Sequence, residues 1–216
     1  MCEVLGPRCR LLNTDTIASL SPMRDSLHLL RAFAKKPSKI GAVFPSSSAL
    51  ARRMLADFPL DGDAAVLELG PGTGPFTKIL HARMKDPGRY LGIDLEAGFV
   101  QLLRLRFPSM RFVCGSAHQA DLHLDAHSIR NVRLIISGLP FAALSVQAQQ
   151  DVMECLGRLF QPGMEFRTFQ YIHMLGLPSA KRFRHEMDRR FGPVCVSRPI
   201  LWNIPPAVIL TWRRHV

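Results

Sequence analysis

The feature that most constrains the fold is a run of three alternating glycines that directly follows a short apolar stretch. The segment reads Glu68-Leu-Gly-Pro-Gly-Thr-Gly74 and is followed by an amphipathic stretch that begins at Pro75. A strand, a glycine-rich turn and a helix in direct succession are typical of a nucleotide-binding α/β unit. Glycine permits the sharp turn and lets a ligand approach the backbone, because any Cβ atom would occupy the ligand's space.

The alternation of apolar and amphipathic stretches continues along the chain. Short runs rich in Val, Ile and Leu indicate buried parallel strands, and the stretches between them indicate covering helices. Strands are predicted at residues 64–69, 90–93, 110–113, 132–136, 164–170, 194–202 and 207–212, and helices at 46–58, 75–84, 96–107, 146–160 and 179–191. The pattern predicts an α/β, Rossmann-like fold with a mostly parallel seven-stranded sheet.

Both ends of the chain depart from this pattern. The tandem prolines of Asn203-Ile-Pro-Pro206 cannot sit inside a central strand, so the last two strands are expected to form an antiparallel C-terminal return. Residues 1–22 show no clear period and are predicted to be a flexible tail. Residues 23–60 are predicted to form N-terminal amphipathic helices that contact a membrane, and residues 61–216 the catalytic, cofactor-binding domain.

The charge of the chain lies mainly in its two flanks. Lys and Arg outnumber Asp and Glu by nine to four in residues 1–60, match them at ten each in residues 61–160, and outnumber them by nine to three in residues 161–216. Flanks that meet in space would form a basic face for a nucleic acid, an anionic membrane or a phosphate-bearing substrate, although the charge can also serve solubility alone. No stretch approaches 18 apolar residues, so a spanning helix is not expected.

Scattered cysteines and histidines do not indicate a disulfide or a metal site. The five cysteines are odd in number and lack a C-x-x-C pair, which favours a reducing cytoplasm. A segment rich in His and Asp falls in a predicted loop, so no metal is expected there. The segment contains His118, Asp121, His123, Asp125 and His127.

Two acidic residues indicate which class of ligand the glycine-rich segment would bind. Asp94 ends the next predicted strand, where an acid would accept hydrogen bonds from ribose hydroxyls. Glu68 opens the segment, where it would repel a phosphate and attract an ammonium. The G-x-G-x-G spacing also lacks the form that seats a pyrophosphate on a helix N-terminus. A zwitterionic nucleoside cofactor therefore fits better than a dinucleotide.

Five segments together resemble the bacterial phospholipid N-methyltransferases, within the class I S-adenosylmethionine-dependent methyltransferases. The resemblance spans residues 29–214 and rests on Gly41-Ala-Val-Phe-Pro-Ser-Ser47, Leu67-Glu-Leu-Gly-Pro-Gly-Thr-Gly-Pro75, Ser137-Gly-Leu-Pro140, Phe169-Gln-Tyr171 and Trp202-Asn-Ile-Pro-Pro-Ala207. It implies the cofactor S-adenosyl-L-methionine. The methionine part would lie on Glu68, Gly70, Gly72 and Gly74 and the ribose on Asp94, with Thr73, Leu95, Ala117 and Ser137 completing the site.

One residue departs from the family's pattern. The family commonly has Gly-Asp-Ala after the third strand, where the Asp meets the adenine amino group, whereas this chain has Gly115-Ser116-Ala117. A serine can still accept a hydrogen bond, but it carries no charge. Ser116 is therefore expected to contact adenine more weakly.

The acceptor is expected at the segment that follows the fourth strand. Gly138, Leu139 and Pro140 stand where amine-modifying methyltransferases have N-x-P-F/Y, and the missing Asn argues against adenine in RNA or DNA. The small Gly138 is predicted to leave room for a bulkier or charged amine. Tyr171, at the end of the fifth strand, is predicted to hydrogen-bond the amine or offer it a ring face. An ordinary strand-end aromatic is the alternative.

Two basic and apolar stretches are candidates for lipid contact. The first places Leu27, Leu30, Phe33 and Ala34 on one helical face beside Lys35, Lys36, Lys39 and Phe44. Such a stripe suits an interfacial helix, although core packing would give the same pattern. The second contains Arg182 and Arg184, which could meet lipid phosphate or nucleic acid.

The resemblance implies N-methylation of phosphatidylethanolamine towards phosphatidylcholine on the inner face of the cytoplasmic membrane. The expected partners are a phospholipid substrate and an anionic membrane surface, without a nucleic acid, while the oligomeric state is left open. The alternatives are an rRNA adenine-N6 dimethyltransferase and a non-catalytic lipid-binding module with the same fold.

Overall fold

A single seven-stranded sheet organises the chain in the computed structural model, which describes residues 47–60 and 62–214. The strands are β1 (Ala65–Leu69), β2 (Tyr90–Asp94), β3 (Arg111–Cys114), β4 (Val132–Ser137), β5 (Glu165–Tyr171), β6 (Cys195–Val196) and β7 (Ala207–Arg213). Their order is β3-β2-β1-β4-β5-β7-β6. Neighbours from β3 to β5 are parallel, and β7 is antiparallel to both β5 and β6. The predicted Rossmann-like α/β fold is confirmed.

Helices cover both faces of the sheet in the described part of the chain. They are α1 (Ser48–Leu55), α2 (Pro75–Arg83), α3 (Ala97–Arg106), α4 (Ala120–Ala126), α5 (Val146–Leu159) and α6 (Pro178–Phe191). One apolar core joins the sheet to α4, α5 and α6, and a second joins it to α1, α2 and α3. Successive side chains of a strand point to opposite faces, so Leu67 and Leu69 enter the first core and Val66 the second.

The helix α1 belongs to the sheet domain. The side chain of Ser47 caps it by accepting the backbone N–H of Leu50 at 3.1 Å. Leu50, Met54 and Leu55 are fully buried in the core beside α2. The apolar face of this helix is therefore unavailable to a membrane, which corrects the assignment of residues 48–55 to an N-terminal membrane segment. The predicted contacts of Lys35, Lys36, Lys39 and Phe44 lie outside the described residues.

Two further predictions of secondary structure were wrong. The strand expected at 194–202 is reduced to the two residues of β6 and one isolated bridge between Ile200 and Ala207. Its ladder ends where the Ser197 hydroxyl accepts the backbone N–H of Ile209 at 2.9 Å. The segment predicted as a His-rich loop contains α4, because Ala120 and Leu124 lie one turn apart and both enter the core.

Candidate active site

The loops that follow β1, β2, β3 and β4 meet at the carboxyl edge of the sheet. Gly70 N–H donates to the Ile93 carbonyl at 2.8 Å, and Gly115 N–H donates to the Asp94 carbonyl at 3.0 Å. Gly138 N–H donates to the Leu69 carbonyl at 2.8 Å. Open α/β sheets bind their ligands at this edge, so these backbone bonds fix the walls of a candidate site.

Gly72 presents an open backbone face in the first of these loops. Its φ is +56°, in the left-handed region, and a Cβ placed on it would meet no atom within 4 Å. The Asp94 Oδ2 atom accepts the Gly72 N–H at 2.9 Å, and its Oδ1 atom accepts the Glu96 N–H at 3.0 Å. Asp94 therefore holds the loop against β2, while each of its oxygens retains a lone pair for a ribose hydroxyl.

Glu68 is a fully buried carboxyl group beneath this loop. Its Oε2 atom accepts hydrogen bonds from Thr77 Oγ1 at 2.9 Å and from Tyr90 OH at 2.7 Å. Burial raises the pKa of Glu68 to about 7, against the lowering effect of those two hydrogen bonds. The negative charge of Asp94 raises the pKa further. The group is therefore poised between its neutral and ionised forms at physiological pH.

The second oxygen of Glu68 points to the chemistry that the site can accept. Oε1 is buried and has no hydrogen-bond partner in the described structure. Buried polar atoms are nearly always paired, because a lost hydrogen bond to water is costly. A ligand ammonium would satisfy this oxygen and favour the ionised form. The loop and its carboxylate therefore fit a zwitterionic cofactor.

A cavity of about 160 Å³ opens beside the loop and is large enough for part of a nucleoside. Its lining comes from the loops after four strands and from α5, and comprises Gly70, Ile93, Asp94, Leu95, Gly115, Ser116, Ala117, His118, Leu139, Leu144, Ala148, Asp151 and Val152. Leu95 is 71% exposed at this wall. A large apolar side chain left in solvent there suits packing against a planar base.

Polar side chains also line this cavity, including Ser116, where the adenine contact is predicted. Ser116 Oγ lies 2.7 Å from His118 Nδ1, so the predicted adenine contact is already engaged with a second side chain of the lining. Asp151 reaches the same cavity from α5 and accepts a hydrogen bond from Gln147 Nε2 at 2.7 Å. The cavity lining therefore includes an acidic residue, Asp151, on α5, whereas position 116 holds a serine.

The loop after β4 lies directly against the glycine-rich loop. Ser137 is fully buried, and its Oγ accepts the Leu139 N–H at 3.2 Å. A Cβ on Gly138 would lie 2.5 Å from the Gly70 carbonyl oxygen, which is closer than real Cβ atoms approach. The absent side chain therefore makes room for neighbouring backbone. This corrects the interpretation that Gly138 leaves room for a bulky amine.

Tyr171 ends β5 at the same edge of the sheet. Its ring stacks on His173 with centroids 5.8 Å apart and planes 9° apart, and meets Phe169 edge to face at 5.6 Å. Burial raises the pKa of the Tyr171 hydroxyl above its ordinary value, so it stays protonated at neutral pH. The ring of Tyr171 is therefore held in place and half-buried at the carboxyl edge of the sheet.

The predicted cofactor and acceptor residues come together along this edge, but the two predicted arginines have different surroundings. Arg182 is exposed on α6. Arg184 donates to the Leu175 carbonyl at 2.8 Å and to Gln170 Oε1. Both arginines remain predictions for lipid contact. Within residues 47–60 and 62–214, no three His, Cys, Asp or Glu side chains gather as a metal site would require.

Sequence reasoning missed four side chains of the site, namely Thr77, Tyr90, His118 and Asp151. Thr77 and Tyr90 bond to the buried Glu68, and His118 and Asp151 line the cavity. Thr77 lies one turn into α2 and Tyr90 starts β2, so each position was visible, but the shared contact with Glu68 was not. Asp151 comes from a helix distant in sequence from the motifs.

Comparison with known proteins agrees with this geometry. Residues 66–163 match the model of a methyltransferase domain. The ornithine lipid N-methyltransferase of Singulisphaera acidiphila is 27% identical over 86% of this chain and 94% of its own. The malonyl-[acyl-carrier protein] O-methyltransferase of a Marinomonas species is 25% identical over 83% of this chain and 63% of its own.

A solved structure extends the comparison to the fold. The RNA methyltransferase from Salinibacter ruber, in complex with S-adenosyl-L-homocysteine, superposes with a TM-score of 0.53. It is 15% identical and aligns over 80% of this chain and 94% of its own. At that identity the likeness concerns the fold alone. The fold, the loop and the matched domain define a class I S-adenosylmethionine-dependent methyltransferase, and its cofactor is S-adenosyl-L-methionine.

Proposed function

We propose that this methyltransferase N-methylates the headgroup amine of a membrane lipid. Phosphatidylethanolamine and its partly methylated forms, on the way to phosphatidylcholine, are the acceptors that the sequence motifs favour. The ornithine lipid enzyme aligned over nearly its whole length also acts on a lipid, as its name states. This alignment of an aminolipid enzyme along the whole domain is the observation on which the proposal rests.

The chain's own residues would hold and orient the two reactants. When bound, S-adenosylmethionine would supply an electrophilic methyl group: the amine lone pair would form the N–C bond as the C–S bond breaks, and the bonding pair would leave on the sulfur of S-adenosylhomocysteine. Glu68 would bind the methionine ammonium through its unpaired Oε1, and Asp94 would bind the ribose. The carbonyls of the loop after β4 would orient the acceptor nitrogen at the carboxyl edge. The ring face of Tyr171 would stabilise the methylated ammonium that forms.

Two alternatives are less well supported. Adenine methylation in RNA by the N-x-P-F/Y arrangement needs an Asn where this chain has Gly138, and the Gly70 carbonyl leaves no space for a side chain there. A non-catalytic lipid-binding module would have no use for Glu68, because its buried Oε1 atom has no hydrogen-bond partner and its ionised form is costly unless a cation binds.

The proposal is tested by following labelled methyl groups. The full chain is incubated with methyl-labelled S-adenosylmethionine and vesicles containing phosphatidylethanolamine, vesicles containing ornithine lipid, or ribosomal RNA. Label in the aminolipid is the expected result, and comparison of the two lipids identifies the preferred headgroup. Label in the RNA would overturn the proposal, as would failure to bind S-adenosylmethionine in calorimetry.

A further inference from the structure

Three large apolar side chains stand in solvent on one short loop. In the loop between β6 and β7, Leu201 is 68% exposed, Trp202 is 87% exposed and Ile204 is 82% exposed. Single exposed apolar residues are common, but three within four positions form a patch that indicates a contact with another molecule. Residues 200–206 are called the Trp202 loop below.

The Trp202 loop is held from within by one buried side chain. Asn203 is 2% exposed and donates from Nδ2 to the Pro205 carbonyl at 2.7 Å. Its Oδ1 accepts the N–H of Ser47, at the start of α1, at 2.9 Å. Ile200 packs partly buried against the core beneath the loop. The apolar side chains on either side of Asn203 therefore point outward from a fixed base.

The loop lies at the acceptor end of the site. Because β7 is antiparallel to β5, the first residue of β7 pairs with the last residue of β5, which is Ala207 opposite Tyr171. The Ile172 N–H also donates to the Pro206 carbonyl at 2.9 Å. Ile172 and Leu177, which follow Tyr171, are themselves 37% and 40% exposed. The apolar surface therefore begins one residue from the proposed amine contact.

The charges around the loop favour an anionic surface. No Asp or Glu follows Asp188 in the sequence, so the only ionised side chain between β6 and β7 is that of Arg198. Lys181 and Arg182 are exposed near the start of α6, which begins at the same edge of the sheet.

We propose that the Trp202 loop inserts into the interface of a lipid bilayer and so places the acceptor end of the site at the headgroups. Trp is enriched at membrane interfaces because its ring is apolar and its N–H is polar. Basic side chains beside an apolar patch add attraction to anionic lipid. The inference rests on the proposed aminolipid acceptor, because the site must reach a headgroup without extracting the whole lipid.

The two tryptophans of the chain make the proposal directly measurable. Trp202 is 87% exposed, whereas Trp212 is fully buried and donates to Asp188 at 2.8 Å. Only Trp202 should respond to a quencher outside the protein. Vesicles of phosphatidylglycerol and phosphatidylcholine, with brominated acyl chains in the phosphatidylcholine, should quench the emission of the full chain. A Trp202→Phe variant, which keeps only the buried Trp212, should be unaffected.

Two substitutions that place a negative charge in the Trp202 loop test how much the loop contributes to vesicle binding. Trp202→Glu and Ile204→Glu should each weaken partition onto the same vesicles by about tenfold, since burying one large apolar side chain is worth a factor of that order. Leu105→Glu is the matched control. Leu105 is 72% exposed near the end of α3, which leads away from the site, and its variant should partition like the parent chain.

The outcomes distinguish a failure of the proposed membrane insertion from a failure of the proposed lipid methylation. Quenching of Trp202 together with weaker partition of both Glu variants supports membrane insertion, even if no lipid is methylated. Absence of quenching overturns the insertion, even if aminolipid methylation is observed. A dimer that Trp202→Glu dissociates, seen by light scattering without lipid quenching, would also overturn it in favour of self-association. Melting curves of the variants show whether each one is folded.

Discussion

The two halves of the carboxyl edge are built differently. The cofactor half comprises the loops after β1, β2 and β3. Its polar groups bond to one another: the Gly72 N–H donates to Asp94, and the Tyr90 hydroxyl donates to the buried Glu68. The acceptor half comprises the loop after β4, residues 171–177 and the Trp202 loop, where Trp202 and Ile204 stand in solvent. The first half is closed by hydrogen bonds within the chain, whereas the second exposes large apolar side chains.

The two halves should contribute differently to binding: the buried polar groups should select one ligand, and the exposed apolar loop should add affinity for any apolar interface. Buried polar groups gain most from one ligand of matching charge, because any other ligand leaves them unpaired. An exposed apolar loop gains from any interface that removes it from water. The cofactor half should therefore tolerate few substitutions, and the exposed Trp202 loop should respond mainly to changes of charge.

The largest effect is expected where the two halves touch. In Gly138→Ala the new Cβ would lie 2.5 Å from the Gly70 carbonyl oxygen, so both loops must shift. We expect the free energy of unfolding to fall by about 3 to 4 kcal/mol and cofactor binding to be lost. Chemical denaturation and calorimetry with S-adenosylhomocysteine measure these two quantities.

Gly157 provides the control for that substitution. It lies inside α5, and a Cβ there would meet no atom within 4 Å. Gly157→Ala should therefore stabilise the chain by about 0.5 to 1 kcal/mol, as glycine is a poor helix former. A Gly138→Ala variant as stable as Gly157→Ala would show that the halves are not locked together.

The next effect concerns the buried carboxyl of the cofactor half. The folded chain keeps a proton on Glu68 up to about pH 7, whereas the ordinary pKa is 4.5. The folded state therefore binds more protons between these values, and stability should fall as the pH rises from 4.5 to 7. Above pH 7 the ionised Glu68 should cost the cofactor-free chain about 3 kcal/mol, which Glu68→Gln should recover in thermal melts at pH 8.

Cofactor binding should show the opposite dependence on the same group. The methionine ammonium needs the ionised carboxylate, so affinity of the parent chain should weaken as the pH falls below 7. In Glu68→Gln the affinity should be lower and nearly independent of pH. Calorimetry from pH 5.5 to 8.5 gives both profiles, and parallel curves would remove Glu68 from ammonium binding.

A smaller effect tests which side chain supplies the adenine contact. Asp151→Asn should weaken S-adenosylhomocysteine binding by about tenfold, because hydrogen bonds to a charged group exceed those to a neutral one. Ser116→Ala should weaken it by only about threefold. If the order were reversed, the carboxylate from α5 would not replace the acid that is missing at 116.

An effect of the same size tests the predicted role of Tyr171 in the acceptor half. Tyr171→Ala should lower kcat on the aminolipid by about tenfold, the size of a cation–π contact, while Tyr171→Phe should stay within about threefold. Steady-state rates on vesicles measure both. A loss in Tyr171→Phe as large as in Tyr171→Ala would assign the role to the hydroxyl.

The sheet and the cofactor half were predictable because their signals are local. Alternating glycines, the acid at Asp94 and short apolar runs each act within a few residues of sequence. The His-rich segment was misread because a short helix anchored by Ala120 and Leu124 has little periodicity of its own. The role of Gly138 was misread because its neighbour, Gly70, is distant in sequence and meets it only through the sheet.

The acceptor half was less predictable for a different reason. The sequence marked Trp202 through a shared motif, yet exposure depends on Asn203 being buried by contacts to Ser47 and Pro205. The strand predicted through this region would have alternated its side chains between the two faces of the sheet. Apolar composition alone could not distinguish a buried strand end from an exposed loop.

The contact between Gly138 and the Gly70 carbonyl has a consequence for how acceptor preference can change among related enzymes. A position sealed by main-chain atoms cannot acquire a side chain without displacing both loops, so a change of acceptor must arise elsewhere in the site. The segments free to vary are those around Tyr171 and the Trp202 loop, whose side chains can be exchanged without displacing the methyl donor's loop. Related enzymes with different acceptors should therefore share the first half of the site and diverge in the second.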